Sequence, residues 1–307
     1  MDVVTDRRDD VEPLATDPAV AAIIVPNHVY GPTFRSEIRR FSHHLPGLIS
    51  AVVLVVIIVL AILAPWVAPF EPTATSRAIK VPPDGTNWLG TDHLGRDVFS
   101  RLLYGARTSL FIGSVTALGT LTLGTMIGAI AGYYRGWVDS LLMRISELFS
   151  VIPSFVLALV MIAIWGNSPR LIIIALILAL WSQASRLVRG EVLVLTAGDM
   201  VAAARTSGFR HSRIILREIL PNALPIIIIQ GTLLVGQVVL IEAGLNFLGL
   251  GDPQSISWGG MLNEAQSDLE SWWNSVPPGA MIFILVLSIN LLGDAVNQFL
   301  RPVTSNV

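Results

Sequence analysis

Residues 45–70 read LPGLISAVVLVVIIVLAILAPWVAPF, a run without one charged side chain. A bilayer's hydrocarbon core is about 30 Å thick, and a helix needs about 20 apolar residues to cross it. The run is long enough to span, and the pattern recurs. Uncharged runs occupy 45–70, 108–134, 148–169, 171–185, 219–241 and 271–293, and each predicts a transmembrane helix. The fourth is short, reaching only about 22 Å at about 1.5 Å per residue. Its helix is therefore expected to continue past Arg186, whose long side chain can snorkel toward the headgroups. The fold expected is all-α and polytopic, with six spans inside a domain covering 45–303.

Composition points to the same solvent. Of the 307 residues, 53% are hydrophobic and 14% are charged, with a formal net charge of −2. A soluble domain of ordinary composition carries about 25% charged residues. The chain lacks the charges to cover a water-facing surface, which argues against a soluble globular enzyme. Its balance of 20 basic against 22 acidic residues argues against a nucleic-acid binder, which would show a basic face. With no cysteine, disulfides, cysteine-ligated metals and thiol catalysis are excluded.

The first 44 residues are polar, interrupted by Pro13, Pro18, Pro26 and Pro32. They are expected to form a cytoplasmic tail with one short basic helix near 34–41. The first span lies too far from the start, and is too long, for a cleaved signal peptide, so a retained anchor is expected. Basic residues favour the cytoplasmic side of a membrane. With both termini inside, the inner segments hold 14 of the Lys and Arg residues and the outer ones 6. Five of those six fall in the first outer loop, 71–107. The second outer loop, 246–278, carries Asp252, Glu264, Asp268 and Glu270 and no basic residue.

Little in the chain can carry catalysis. A phosphate-binding loop needs G-x-x-x-x-G-K-[ST], and the only lysine, Lys80, follows Ile79 in a proline-rich loop. Any ATP hydrolysis must take place on another subunit. His28, His43, His44, His93 and His211 include no pair at the i, i+4 spacing of a helical zinc site. Three features of the spans stand out. Gly124, Gly128 and Gly132 form two overlapping G-x-x-x-G steps, which let helix backbones approach closely, either within the subunit or against a second one. Pro153 removes a backbone hydrogen bond and predicts a kink in the third span. Glu242 ends the fifth run as an acid near the outer surface, either reaching water or a nearby donor, or lining a substrate path.

The segment 190–221 is too polar to span and too apolar for a plain linker. Ala202, Ala203 and Ala204 favour a helix, Gly208 ends it, and a second helix follows from about His211. Leu220 and Pro221 then introduce the fifth span. Such a helix–turn–helix is a compact knob that could seat in a partner's groove. It resembles the EAA loop of ATP-binding-cassette importer permeases, patterned as E-A-A, three residues, G, nine residues, I-x-L-P. On that pattern Ala203 and Ala204 take the alanines, Gly208 the glycine, and Leu220 and Pro221 the final pair. Ala202 stands in place of the glutamate and Glu218 in place of the isoleucine.

Three more blocks resemble the second, C-type permease of the dipeptide, oligopeptide and nickel importers, in the right order. They are WLGTDHLGRDVFSRLLYGARTSL (88–110), FLGLGDPQSISWGGML (247–262) and NLLGD (290–294). The resemblance implies an importer permease without enzymatic activity, binding no cofactor itself, with ATP and magnesium on partner ATPases. It implies two ATPase domains, a sister permease, an extracytoplasmic substrate-binding protein, and a bacterial cytoplasmic membrane. Short peptides are the expected cargo, with nickel chelates or other small solutes as alternatives. An autonomous ion-coupled transporter would need ionisable residues near the midplane, whereas Glu147, Glu242 and Asp294 all fall near span ends.

Overall fold

The computed structural model describes residues 45–268 and 270–300. The expected tail at 1–44, with its basic helix, and residues 301–303 lie outside the described residues. Helix α1, Leu45–Val67, buries Gly47, Ser50, Leu54, Ile57, Ala61 and Ala64 at three- and four-residue intervals. Between them Val52, Val55, Val59 and Ile62 stay exposed. Apolar residues outside as well as inside make lipid the solvent.

Helix α2, Val98–Tyr134, has 37 residues and is about 56 Å long. Asp97 caps it, accepting from the Ser100 amide at 2.8 Å. The helix starts well before the second span expected at 108, so the first outer loop ends at 97 and not at 107. Arg101 does not break the helix because other side chains, rather than water, neutralise its charge.

The third span differs most from expectation. In place of a kinked helix over 148–169 there are two half-helices, α3 (Gly136–Val151) and α4 (Ser154–Trp165), bent by 83°. Pro153 accounts for this. It disfavours helical geometry at the residue before it, and Ile152 is extended at φ −89°, ψ 129°. Helix α5, Pro169–Thr196, continues past Arg186, as its length requires. Arg186 is held rather than free to snorkel, since its guanidinium donates to the hydroxyls of Ser146, at 3.3 Å, and Ser150. Helix α5 also runs through Gly190, so the segment between the fourth and fifth spans begins at 197 and not at 190. The roughly 1 kcal/mol that an interior glycine costs is outweighed by burial of Val188 and Val192 on either side.

After α6 (Asp199–Thr206) comes α7, a single 37-residue rod, His211–Phe247. The second helix of the knob and the fifth span, expected as separate elements joined at Pro221, are thus continuous. A π-helical stretch, Ile214–Ile219, precedes the proline, and the Leu220 amide bonds to the Ile215 carbonyl five residues back. That wider turn relieves the clash a proline ring makes with the carbonyl four residues earlier. Helix α8, Trp258–Ala265, lies within the second outer loop, and α9, Trp272–Leu300, forms the last span. No strand occurs among the described residues beyond one isolated bridge, Thr91 to Asp97.

Helix α5 is the most enclosed, with 56% of its apolar window buried against 33% for α1. Its tightest neighbour is the glycine ridge of α2. A Cβ at Gly124 would come within 2.6 Å of the Ala184 Cβ, one at Gly132 within 2.9 Å of the Val192 Cβ, and one at Gly128 would meet the Ser185 carbonyl oxygen. The ridge is therefore filled by a helix of the same chain.

The loop before α2 and the α8 loop are tied by an ion-pair knot. Arg101, on α2 and almost wholly buried, pairs with Asp92 and with Glu264 of α8, at 2.6 and 3.0 Å to the latter. Arg96 bonds the same two carboxylates at 2.7 and 2.6 Å. Burial opposes the charge on Asp92, but the Arg96 backbone amide and the Arg101 guanidinium together hold its carboxyl below the usual range. His93 lies beside Asp92 and Glu264, yet a metal cation there would face both guanidiniums. Trp258, fully buried, donates to the Leu102 carbonyl at 2.9 Å and docks α8 on α2.

Two substitutions test this packing. Arg101→Met leaves Asp92 and Glu264 sharing Arg96 alone, and loss of one charge from such a buried network, worth up to about 3–5 kcal/mol, should lower the thermal midpoint in detergent. Gly128→Leu forces α2 from α5. Overpacking of this kind costs about 1–3 kcal/mol or more, so the yield of folded, monodisperse chain should fall while membrane insertion persists.

Candidate functional site

The knob leaves the bundle where α5 ends. Helix α6 closes in a Schellman turn, in which the Phe209 amide bonds the Ala204 carbonyl at 3.2 Å and the Gly208 amide bonds the Arg205 carbonyl at 3.0 Å. Gly208 sits at φ +74°, with open space where a Cβ would stand. The glycine is needed for its backbone conformation and not for room. The chain then enters α7 at His211.

The root of the knob is apolar. Val201 and Ala204 of α6 pack with Ile214 and Ile219 of α7, Ala129 and Tyr133 of α2, and Val188 and Val192 of α5. Of the three alanines singled out by sequence, only Ala204 enters this root, while Ala202 and Ala203 face outward. Leu220 is half-buried and Pro221 exposed, both at the start of the straight part of α7. Met200, Phe209 and Leu216 are large apolar side chains left exposed on the knob. The Arg213 guanidinium stacks 4.0 Å from the Phe209 ring centroid and braces it. Four arginines, at 205, 210, 213 and 217, outnumber Asp199 and Glu218 across the knob. Such a surface can seat in a groove by apolar contact and positive charge.

Sequence reasoning passed over Phe209 and Leu216. Their signal was present after the glycine turn, where each is an apolar residue followed directly by an arginine, Arg210 and Arg217. The Arg96–Arg101–Asp92–Glu264 knot left no local signal, because its partners stand as far as 168 residues apart.

At the far end of α7, Glu242 is fully buried. It accepts from the Ser109 hydroxyl at 3.3 Å and from the Asn246 amide at 2.5 Å, and that amide also donates to Ser257 at 2.6 Å. The described contacts of Glu242 are with neighbouring donors. The hydrogen bonds join α2, α7 and the α8 cap, and none reaches Pro153, which lies exposed at the α3–α4 break. No hydrogen bond joins the two residues considered for a substrate path, although Phe155, near Pro153, packs against Gly244, near Glu242.

Known proteins share both the sequence and the fold. The family described as "Binding-protein-dependent transport system inner membrane component" matches residues 124–306, and "N-terminal TM domain of oligopeptide transport permease C" matches 33–83. The dipeptide transport system permease protein of Alkalihalophilus pseudofirmus is 35% identical over 272 residues, covering 88% of this chain and 90% of that protein. The glutathione transport system permease protein of Escherichia coli is 37% identical over 268 residues, covering 86% and 88%. In three dimensions the chain is similar to one from the inward-facing MetNI methionine ABC transporter, with a TM-score of 0.56 and 20% identity. That likeness covers 66% of this chain and 97% of the other, and bears on the fold alone. The chain belongs to the binding-protein-dependent transport system inner membrane components, the permease subunits of ATP-binding-cassette importers.

Proposed function

We propose that this permease moves short peptides inward across the cytoplasmic membrane, and that segment 197–221 is the knob through which its ATPases drive it. As an importer permease the chain is not itself catalytic and works in a membrane beside ATPase and permease partners. The finer assembly proposed is a sister permease, two ATPase domains carrying ATP and magnesium, and an extracytoplasmic binding protein that delivers cargo. Cargo of this class is supported by the relatives named for dipeptide and glutathione transport.

The observation that carries the coupling role is the Schellman-capped turn at Gly208, which joins the short α6 to the start of α7 and presents apolar and basic side chains. Where the family pattern has a glutamate, this knob offers the exposed methyl of Ala202. Its seat on the ATPase therefore relies on Met200, Phe209 and Leu216 and on the arginines, not on a carboxylate at 202. When the ATPases close on ATP, the knob moves and the helices open toward the outside. Cargo then passes between the two permeases. Glu242, held by Ser109 and Asn246, braces α2 against α7 during this change. Pro153 supplies the α3–α4 bend facing the route.

Orientation is proposed with both termini in the cytoplasm, 1–44 as the tail and the Glu264 loop outside. In the native cysteine-free chain, Ser267→Cys should react with an impermeant thiol reagent in intact cells and Ser207→Cys should not. The reverse pattern inverts the topology.

The coupling role has its own test. Gly208→Val puts a β-branched residue at positive φ, where L-residues lose roughly 1–2 kcal/mol. Insertion and cargo capture by the binding protein should persist, while stimulated ATP hydrolysis and uptake in proteoliposomes should both collapse. Gly208→Asn, which tolerates that conformation, should retain most activity. Native uptake in Gly208→Val would reduce the knob to a connector.

A further inference from the structure

The two helices of the knob meet the end of α2 at one side chain. Tyr133, almost fully buried, has its hydroxyl 2.7 Å from Nδ1 of His211, the first residue of α7. The guanidinium of Arg205, in the last turn of α6, lies 5.0 Å from the centroid of the same ring. The His211 ring also packs on Tyr133 and Tyr134, at centroid distances of 5.6 and 6.0 Å. One tyrosine thus holds both halves of the knob by two different interactions, a hydrogen bond and a cation–π contact. His211, which has no partner at helical spacing in the sequence, finds one 78 residues away.

We propose that Tyr133 is a positioning residue that clasps the knob to α2 and makes α2, rather than α7, the principal output of ATP-driven movement. This rests on the coupling role given to the knob above. The direct path from the knob into the fifth span runs through the π stretch Ile214–Ile219. Its wide turn interrupts the regular α-helical ladder, a place where a helix can bend, and can absorb displacement. The path through Tyr133 has no such slack. Displacement of α6 and His211 reaches α2 at its last turn. The glycine ridge at Gly124, Gly128 and Gly132, where no side chain separates the backbones, carries it into α5. Arg135 adds a second tie at the same corner, donating to the Leu193 carbonyl at 3.1 Å and to Thr196 Oγ1 at 3.0 Å. Helices α2 and α5 therefore move with the knob as one body.

The test reads movement of α2 separately from ATP turnover. In the reconstituted complex of permeases, ATPases and binding protein, Leu118→Cys, on the exposed side of α2, is labelled with an environment-sensitive fluorophore. The signal change is measured on adding ATP, magnesium and vanadate. With Tyr133 intact a change is expected. Tyr133→Phe keeps the ring and loses the hydroxyl, and should reduce the change by about fivefold, the worth of one ordinary hydrogen bond. ATP hydrolysis and complex yield should stay close to native. His211→Leu should act similarly, and the double variant should be little worse than either single one, because both remove the same interaction.

A full signal in Tyr133→Phe overturns the proposal, as does no signal with Tyr133 intact. So does a loss of hydrolysis and yield in proportion to signal, which is the mark of a merely structural role. Gly208→Val separates the two readings. If it silences hydrolysis and signal while Tyr133→Phe leaves the signal whole, the knob stands and the clasp falls. If Gly208→Val leaves both intact, the coupling role fails and takes the clasp with it.

Discussion

A backbone amide or carbonyl in the bilayer core has no water to bond, so each must be satisfied by the chain itself. The rest of this structure follows from that constraint. It makes every described crossing helical, and it fixes the form of each departure from a regular helix. At Ile152 and Pro153 the chain breaks at a residue that has no amide hydrogen to lose, and the two half-helices bend by 83°. Ahead of Pro221 the chain does not break. It widens into Ile214–Ile219, so each amide shifts to the carbonyl five residues back. The two prolines act differently because they stand in different places. Pro153 begins a helix, whereas Pro221 lies within one whose flanks, Ile219 and Ala223, are already packed.

Association in lipid gains little from the hydrophobic effect, so α5 is joined to α2 by fit and to α3 by polar contact. The glycines of α2 remove side chains along the line of nearest approach. On α3, Ser146 and Ser150 share hydrogen bonds with Ser182 and Ser185 of α5, and Asp139 pairs with Arg189 of α5 at 2.5 Å. Charge in this protein is spent at the ends of the bundle. One knot gathers Arg96 and Arg101, and the knob carries four arginines. Apart from such groups, the surface between is apolar.

Much of this was legible in the sequence. Charge-free runs show where lipid lies, since hydropathy and the roughly 30 Å core act residue by residue. Spacing alone was enough for the alanine–glycine pattern of the knob, because a left-handed cap is a local event. The misjudged boundaries share one cause. The second span was started after Arg107 and the knob at Gly190, on the rule that charge and glycine end a helix. Arg101 is neutralised by residues far along the chain, and Gly190 is carried by its buried neighbours. Tertiary contacts decided both, and a linear reading has no access to them. The same holds within the site. Gly208 could be found from its spacing, whereas the partners of Tyr133, Arg101 and Glu242 come from folding.

Helix α2 joins the two ends of the molecule. From Arg101 in the ion-pair knot to Tyr133 at the knob, it runs about 48 Å as one uninterrupted helix. A rigid strut of that length makes the two surfaces thermodynamically dependent on each other. Any protein that binds more tightly when the outer end of the strut tilts must shift the affinity of whatever grips its inner end by the same factor. The direction of cause is then immaterial. A loaded carrier on one side of the membrane and a nucleotide on the other would report on each other's occupancy without ever sharing a surface.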